Sequence, residues 1–318
     1  MAMDEKGGVL SGGRALDAPG RKVRGYADVP GSTGSRILEQ VEEQLERLKA
    51  RLAQVGAVVA VASGKGGVGK STITANLAVA LASRGARVGV VDADLNGPSL
   101  GNMLGLLGQR LEDLPGGVAP AEGAGGVKGI STELLLDEGA PLRWRGPAAD
   151  HFVWQGITET ATLREFLSDV AWGELDYLLV DIPPGTDKIG RFLDLVPRPD
   201  QFLLVTIPSR IASAVVARSA GQVRDAGVTC VALVGNMSRY AEPGVEPSLP
   251  LFSGPGALEL AGSIDIDLWA EIPFDPTFGA ATDRGEPPGA GGDSDAARAF
   301  AALAERVEQA PGGRRASR

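Results

Sequence analysis

Cysteine and histidine are almost missing from this chain: Cys230 and His151 are the sole members of their kinds among 318 residues. One cysteine excludes an intramolecular disulfide, and it excludes a zinc or iron–sulfur site built from a single subunit's thiolates. Cys230 falls within the apolar run T-C-V-A-L-V, where a lone cysteine acts as a small core hydrophobe. His151 is read in the same way, as structural or exposed and not as a metal ligand. Long apolar runs are missing as well. No window approaches the roughly 18 apolar residues of a membrane span, and no basic stretch leads into an apolar run at the N-terminus. Stable membrane insertion is therefore not expected, and the cytoplasm is the expected location. Positive charge is also in deficit: the net charge of -9 argues against general affinity for nucleic acid or anionic membrane. Internal repeats are absent.

The hydrophobic content of 43% is ample for a core in a chain of this length. Residues 1–35 mix Gly, Pro, Ser and charge without apolar periodicity and read as a flexible leader. Leu38, Val41, Leu45, Leu48, Leu52 and Val55 then recur at spacings of three and four, which predicts an amphipathic helix over 36–55. Its stripe has two uses open to it, packing on its own domain or forming a coiled-coil seam to a partner. From Ala57 the pattern changes. Apolar runs such as AVVAVAS, ARVGVVDAD, DYLLVDIPP, QFLLVTIPS, TCVALVGNM and DLWAEIPFD alternate with crossover-length helical segments. Strands apolar on both faces imply one doubly wound α/β domain over 56–310, a single, mostly parallel sheet with helices on both faces. Residues 105–129, rich in glycine, read as a surface excursion. A helix near 295–309 carries Phe300, Leu303 and Val307 on one face, and 311–318 reads as a disordered basic tail.

S-G-K-G-G-V-G-K-S-T, residues 63–72, satisfies the phosphate-loop pattern G-x-x-x-x-G-K-[ST] through Gly64, Gly69, Lys70 and Ser71, between a predicted strand and a predicted helix. Gly64, Gly66, Gly67, Val68 and Gly69 would wrap phosphate oxygens with backbone amides, helped by the positive end of the helix. Lys70 would bridge the β- and γ-phosphates, Ser71 would ligate Mg²⁺ and Thr72 would reach the α-phosphate of ATP. Asp92 and Asp94 end one strand and Asp181 another. Carboxylates at the carboxyl edge of a parallel sheet can hold Mg²⁺ through its waters and orient an attacking water.

Lys65 marks a departure from the plain pattern. K-G-G-V-G-K resembles the deviant Walker A sequence of the MinD/ParA/nitrogenase-iron-protein group, a resemblance that implies a homodimer in which this lysine reaches the nucleotide of the opposite subunit. Further motifs narrow it. D-A-D-L-N-G-P-S-L-G-N-M-L-G (92–105), R-W-R-G-P (143–147), W-G-E-L-D-Y-L-L-V-D-I-P-P-G-T (172–186), G-N-M-S (235–238), A-E-I-P-F-D-P (270–276) and D-R-G-E-P (283–287) together resemble the Mrp/ApbC family of dimeric ATPases that carry or scaffold iron–sulfur clusters. The resemblance runs from about Ala57 to Val307. It implies that Lys65, Lys70, Asp94 and Asp181 form the catalytic set, with Asp94 positioning water, Asp92 supporting the metal and Asp181 as the Walker B acid. It also implies that Asn236 bonds adenine, that Pro273 flanks the base and that Pro183 to Thr186 sense the γ-phosphate.

Two departures qualify that picture. D-I-P-P-G-T-D-K lacks one residue of the family's G-T-G-D, so the switch geometry is expected to differ. Where cluster-binding members read C-P-x-C after N-M-S, this chain reads Glu242-Pro243-Gly244-Val245. The family implies a [4Fe–4S] cluster, but a Glu and a Val cannot replace two thiolates. The N-terminal cysteine motif and the small accessory domain of other branches are not seen. Two functions are therefore carried forward. One is a slowly hydrolysing, Mg-dependent dimeric ATPase of iron–sulfur cluster or metalloenzyme maturation, without its own cysteine-ligated cluster; the other is a metal-free, nucleotide-switched adaptor or MinD/ParA-like positioning ATPase that regulates an unidentified client protein.

Overall fold

The computed structural model describes residues 34–115, 117–135, 151–240 and 251–313, with backbone alone at 34–40 and 151–158. The R-W-R-G-P segment, Glu242 to Val245, the side chain of His151, residues 1–33 of the leader and 314–318 of the tail lie outside the described residues. The chain divides into two units, Met1–Glu42 and Glu43–Arg318. The predicted site residues all belong to the second.

The strands, in chain order, are β1 (Val55–Ser63), β2 (Val88–Asp92), β3 (Asp113–Leu114), β4 (Gly117–Val118), β5 (Ala121–Glu122), β6 (Lys128–Ile130), β7 (Leu175–Asp181), β8 (Gln201–Thr206), β9 (Val231–Gly235) and β10 (Asp267–Glu271). The helices are α1 (Gly34–Leu52), α2 (Lys70–Ser83), α3 (Leu100–Met103), α4 (His151–Asp169), α5 (Thr186–Leu195), α6 (Arg210–Asp225), α7 (Ala257–Ile264), α8 (Pro276–Asp283) and α9 (Asp295–Gln309). Eight strands form one sheet in the order β10-β9-β8-β1-β7-β2-β6-β5, while β3 and β4 make a separate hairpin. Every pairing in the large sheet is parallel except β5 with β6.

Alternation along β1 explains both layers. Ala57, Val59 and Val61 join one core with Ile73, Leu77 and Leu81 of α2 and Phe300, Leu303 and Val307 of α9. Val58, Ala60 and Ala62 join the other, with Phe166 of α4, Phe192 of α5, Val216 of α6 and Leu260 of α7. Because both faces are covered, the strands read as unbroken apolar runs. The half of α1 that belongs to the second unit buries Leu48 in this second core. Arg47 Nε donates to Asp169 at 3.2 Å, and Gln44 accepts from Arg164 Nε at 2.6 Å. That half of the stripe is thus used within the chain.

The connection from β1 leads to β2, two places away, and β7 later fills the gap between them. β8 then starts the other wing, on the far side of β1. A change of direction of this kind opens a crevice at the carboxyl ends of the central strands. The ends of β1, β7 and β2 converge there, with Val61 and Asp92 each partnered in register with Asp181.

Residues 105–129 are more than a surface excursion. Leu106 is 1% exposed and Val127 is fully buried, and β6 extends the main sheet beside β2. Strands of two and three residues carry too little alternation to be read as periodic.

Candidate nucleotide-binding site

Gly69 enters α2 from the left-handed region, with φ of 80°, a conformation only glycine takes at little cost. A Cβ there would also collide with Asn236 Nδ2. No side chain caps the helix at this end, so its first-turn amides remain free for an anion. Residues 66–72 line a cleft of ≈ 210 Å³ together with Ser63, Asp94, Ser99, Met103 and Pro184.

Beneath the loop sits Asp181, fully buried. Its Oδ2 pairs with Lys70 Nζ at 2.5 Å and accepts from Ser71 Oγ at 2.6 Å, while Oδ1 accepts from Thr74 Oγ1 at 2.8 Å. Lys70 is itself only 7% exposed. Burying either charge alone would be costly, so each makes the other tolerable. Thr74, one turn after Lys70, belongs to this cluster although no motif flagged it. Its hydroxyl also donates to Lys70 O.

Asp92 stands beside Asp181 but faces elsewhere. Its Oδ2 accepts from the backbone amides of Ser99 and Leu100 at 3.0 and 3.1 Å and from Ser131 Oγ, and its Oδ1 accepts from the amide of Asp94. This carboxylate shapes the loop that follows β2. Burial, with the neighbouring Asp181 charge added, pushes its pKa up to about 7, against the Leu100 and Ser99 amides. Asp94 and Ser99 of this loop line the cleft, and Asp94 Oδ1 accepts from Gly97 N at 3.2 Å.

Of the Pro183 to Thr186 segment that follows β7, Pro184 lines the cleft. Pro184 Cγ would lie 3.8 Å from a Cβ on Gly66. Gly185, at φ 121° and ψ 143°, ties the segment to β1 through its amide and Ser63 O, then opens α5. Lys65 is exposed on the outer turn of the phosphate loop, where its carbonyl accepts from Ser63 Oγ. Gly64 packs toward Val215 and does not line the cleft.

Asn236 and Pro273 sit to one side, held together by paired backbone. Ile272 N donates to Gly235 O, Ser238 N to Ile272 O and Phe274 N to Arg239 O. Asn236 Nδ2 donates to Val68 O at 2.9 Å, bracing the phosphate loop from behind. Sequence reasoning missed this contact, which joins residues 168 apart. Lys70, Ser71, Asp94 and Asp181 are therefore brought together, while Lys65, Asn236 and Pro273 flank them.

The site can bind phosphate at a helix N-terminus, and Ser71 Oγ with Asp181 offers the hard oxygen donors that suit Mg²⁺. Cys230 lies elsewhere. It immediately precedes β9, so it occupies the amino edge of the sheet, opposite the phosphate loop.

A family model described as ParA, NUBPL iron-transfer P-loop NTPase, matches residues 54–308. An iron-sulfur cluster carrier protein of Saccharolobus solfataricus is 36% identical over 258 residues, covering 79% of this chain and 84% of the relative. The cytosolic Fe-S cluster assembly factor CFD1 of Saccharomyces cerevisiae is 35% identical, covering 74% and 80%. Among solved structures, a nucleotide-binding protein in complex with ADP from Archaeoglobus fulgidus shares 34% identity at a TM-score of 0.65, covering 76% of this chain and 91% of that one. The cell division ATPase MinD of Pyrococcus furiosus, at 24% identity and a TM-score of 0.54, shares the fold, with 80% of this chain and 99% of that one covered.

The buried Asp92 carboxyl generates a pH signature. The unfolded chain releases this proton near 3.8 and the folded chain near about 7, so the contribution is complete below the lower value and is lost as pH rises through the window. Asp92→Asn cannot titrate. Urea midpoints at about pH 4.5 and about pH 7.5 should show the wild type losing stability relative to Asp92→Asn as pH rises. A difference that stays constant contradicts the assignment.

Proposed function

The chain belongs to the ParA family of NUBPL-type iron-transfer P-loop NTPases, and on that premise we propose that it is a Mg-dependent, dimeric ATPase serving iron–sulfur maturation without a cysteine-ligated cluster of its own. The observation that carries the reading is the Asp181 cluster, in which one buried carboxylate holds Lys70, Ser71 and Thr74. ATP phosphates at the mouth of α2 draw Lys70 away from Asp181. The released carboxylate and Ser71 would hold Mg²⁺, which would supply charge neutralisation at the phosphates.

Hydrolysis in P-loop enzymes depends on positioning and charge stabilisation. Asp94, across the cleft from the loop, orients the attacking water. Lys65 points into solvent from the loop's outer turn, a placement that suits a cation supplied to the nucleotide of a second subunit. Asn236, whose Nδ2 is held by Val68 O, turns its remaining amide oxygen to the adenine amino group, and Pro273 packs beside the base.

A role in cluster maturation is supported by relatives named as cluster carriers and assembly factors. The cluster itself does not fit this chain. Glu242 and Val245 occupy the places of the paired cysteines, and Cys230 sits at the far edge of the sheet. Cluster contacts thus fall to the client, and the chain supplies the ATP-driven change of shape. The named cytosolic relatives support a cytoplasmic setting, and no helix of the described residues is long and apolar enough to cross a membrane.

Anaerobic reconstitution of the purified protein with iron and sulfide, read by visible absorbance and iron counting, should leave no stoichiometric cluster after desalting. A stable, stoichiometric cluster would refute the cysteine argument. In steady-state assays Lys65→Ala should lower kcat by about a hundredfold or more while leaving ADP affinity nearly intact. Unchanged turnover would remove Lys65 from the mechanism.

A further inference from the structure

Glu159 of α4 is a buried carboxylate, 6% exposed, that the site described above does not use. Its Oε1 accepts from Asn96 Nδ2 at 2.7 Å, and its Oε2 is bonded by Lys188 Nζ. Arg191 Nη1 stands 3.8 Å from the same Oε2, and Asp187 Oδ2 stands 3.8 Å from Lys188 Nζ. Asn96 lies two residues beyond Asp94. Lys188 lies in the first turn of α5, two residues beyond the Pro183–Thr186 segment. One buried carboxylate therefore clasps both loops that face the phosphate wall of the cleft.

A carboxylate is kept out of water only where partners compensate it. Here they do so on both oxygens, and the cations come from α5, which continues the Pro183–Thr186 segment, while the amide comes from the loop after β2. Displacing either segment alone breaks a charge-assisted or neutral bond to a carboxylate that is only 6% exposed. The two loops are thus constrained to move together. A shift at Pro184 or Gly185 passes through Lys188 to Glu159, and through Asn96 to Asp94.

We infer that Glu159 is a positioning residue for ATP hydrolysis, coupling the γ-phosphate-facing Pro183–Thr186 segment to the loop that carries Asp94. The inference rests on the proposed roles of Asp94 and of that segment. Because Glu159 is not among the residues that line the cleft, it should affect turnover and spare the binding of ADP, which has no γ-phosphate.

The test uses the full chain and three variants: Glu159→Gln, which keeps the shape and removes the charge, Lys188→Met, and the exposed Asn96→Ala. Glu159→Gln should lower kcat about tenfold, with KM for ATP and ADP affinity unchanged within error. Lys188→Met should match it, and the double variant Glu159→Gln/Lys188→Met should fall no further, since both remove one link. Asn96→Ala, on the surface, should lower kcat in the same direction without altering thermal stability. Wild-type kcat in Glu159→Gln and Asn96→Ala overturns the inference. So does a parallel loss of kcat and ADP affinity, which marks a purely structural role, or additive losses in the double variant. Asp94→Ala run alongside separates the two levels. If it hydrolyses ATP at the wild-type rate, the parent reading of Asp94 fails and the inference with it; if it is inactive while Glu159→Gln is normal, only the inference fails.

Discussion

The Lys70–Asp181 pair governs this site. The two charges sit 2.5 Å apart with almost no exposure, and each is affordable in the interior only because of the other. Ser71 and Thr74 complete the carboxylate's bonding from positions one helical turn apart on α2. A phosphate entering the cleft would compete with Asp181 for Lys70, and a hard cation would compete with Lys70 for Asp181. Binding of nucleotide and metal would then be an exchange of partners around one carboxylate. In the proposed mechanism that exchange is the reason the two ligands favour each other.

The sheet makes the exchange possible. Neighbouring β1, β7 and β2 bring the phosphate loop, Asp181 and Asp92 to one edge, and two apolar cores hold the strands from either side. Asp92 uses its carboxylate to gather the amides of Asp94, Ser99 and Leu100, so the loop that presents Asp94 is set from below. Glu159 grips the same loop from above, through Asn96. Asn236 supports the phosphate loop through Val68 O. The residues that line the cleft are few, and most of the buried polar groups near it hold those few in place.

Much of this was legible in the sequence because its causes are local. Lys70 and Ser71 follow from a fixed spacing, and Asp92, Asp94 and Asp181 from their position after apolar runs. The parallel sheet follows from strands apolar on both faces. What escaped reading depends on contacts distant in the chain. Thr74 looks like an ordinary helix residue until Asp181, 107 positions away, is folded against it. Glu159 sits in a helix that no motif marks, and its meaning comes from Asn96 and Lys188. The residues 105–129 contribute β5 and most of β6 to the sheet, strands of two and three residues that are too short to show a period. Asp92 was legible as a site residue but its direction was not, since its amide partners belong to a loop whose path only the fold defines.

The Glu242-Pro243-Gly244-Val245 sequence and the phosphate site together support the proposed reading of a chain that keeps the ATP-driven step of its family and leaves cluster ligation to others. Its central claim concerns the exchange around Asp181. Calorimetric titration of ADP with and without Mg²⁺, in the wild type and in Asp181→Asn, tests that claim directly. If Asp181 restrains Lys70 until the cation engages it, Mg²⁺ should strengthen ADP binding to the wild type by about tenfold or more, and Asp181→Asn should lose most of that dependence. An equal effect of Mg²⁺ in both proteins would contradict the account.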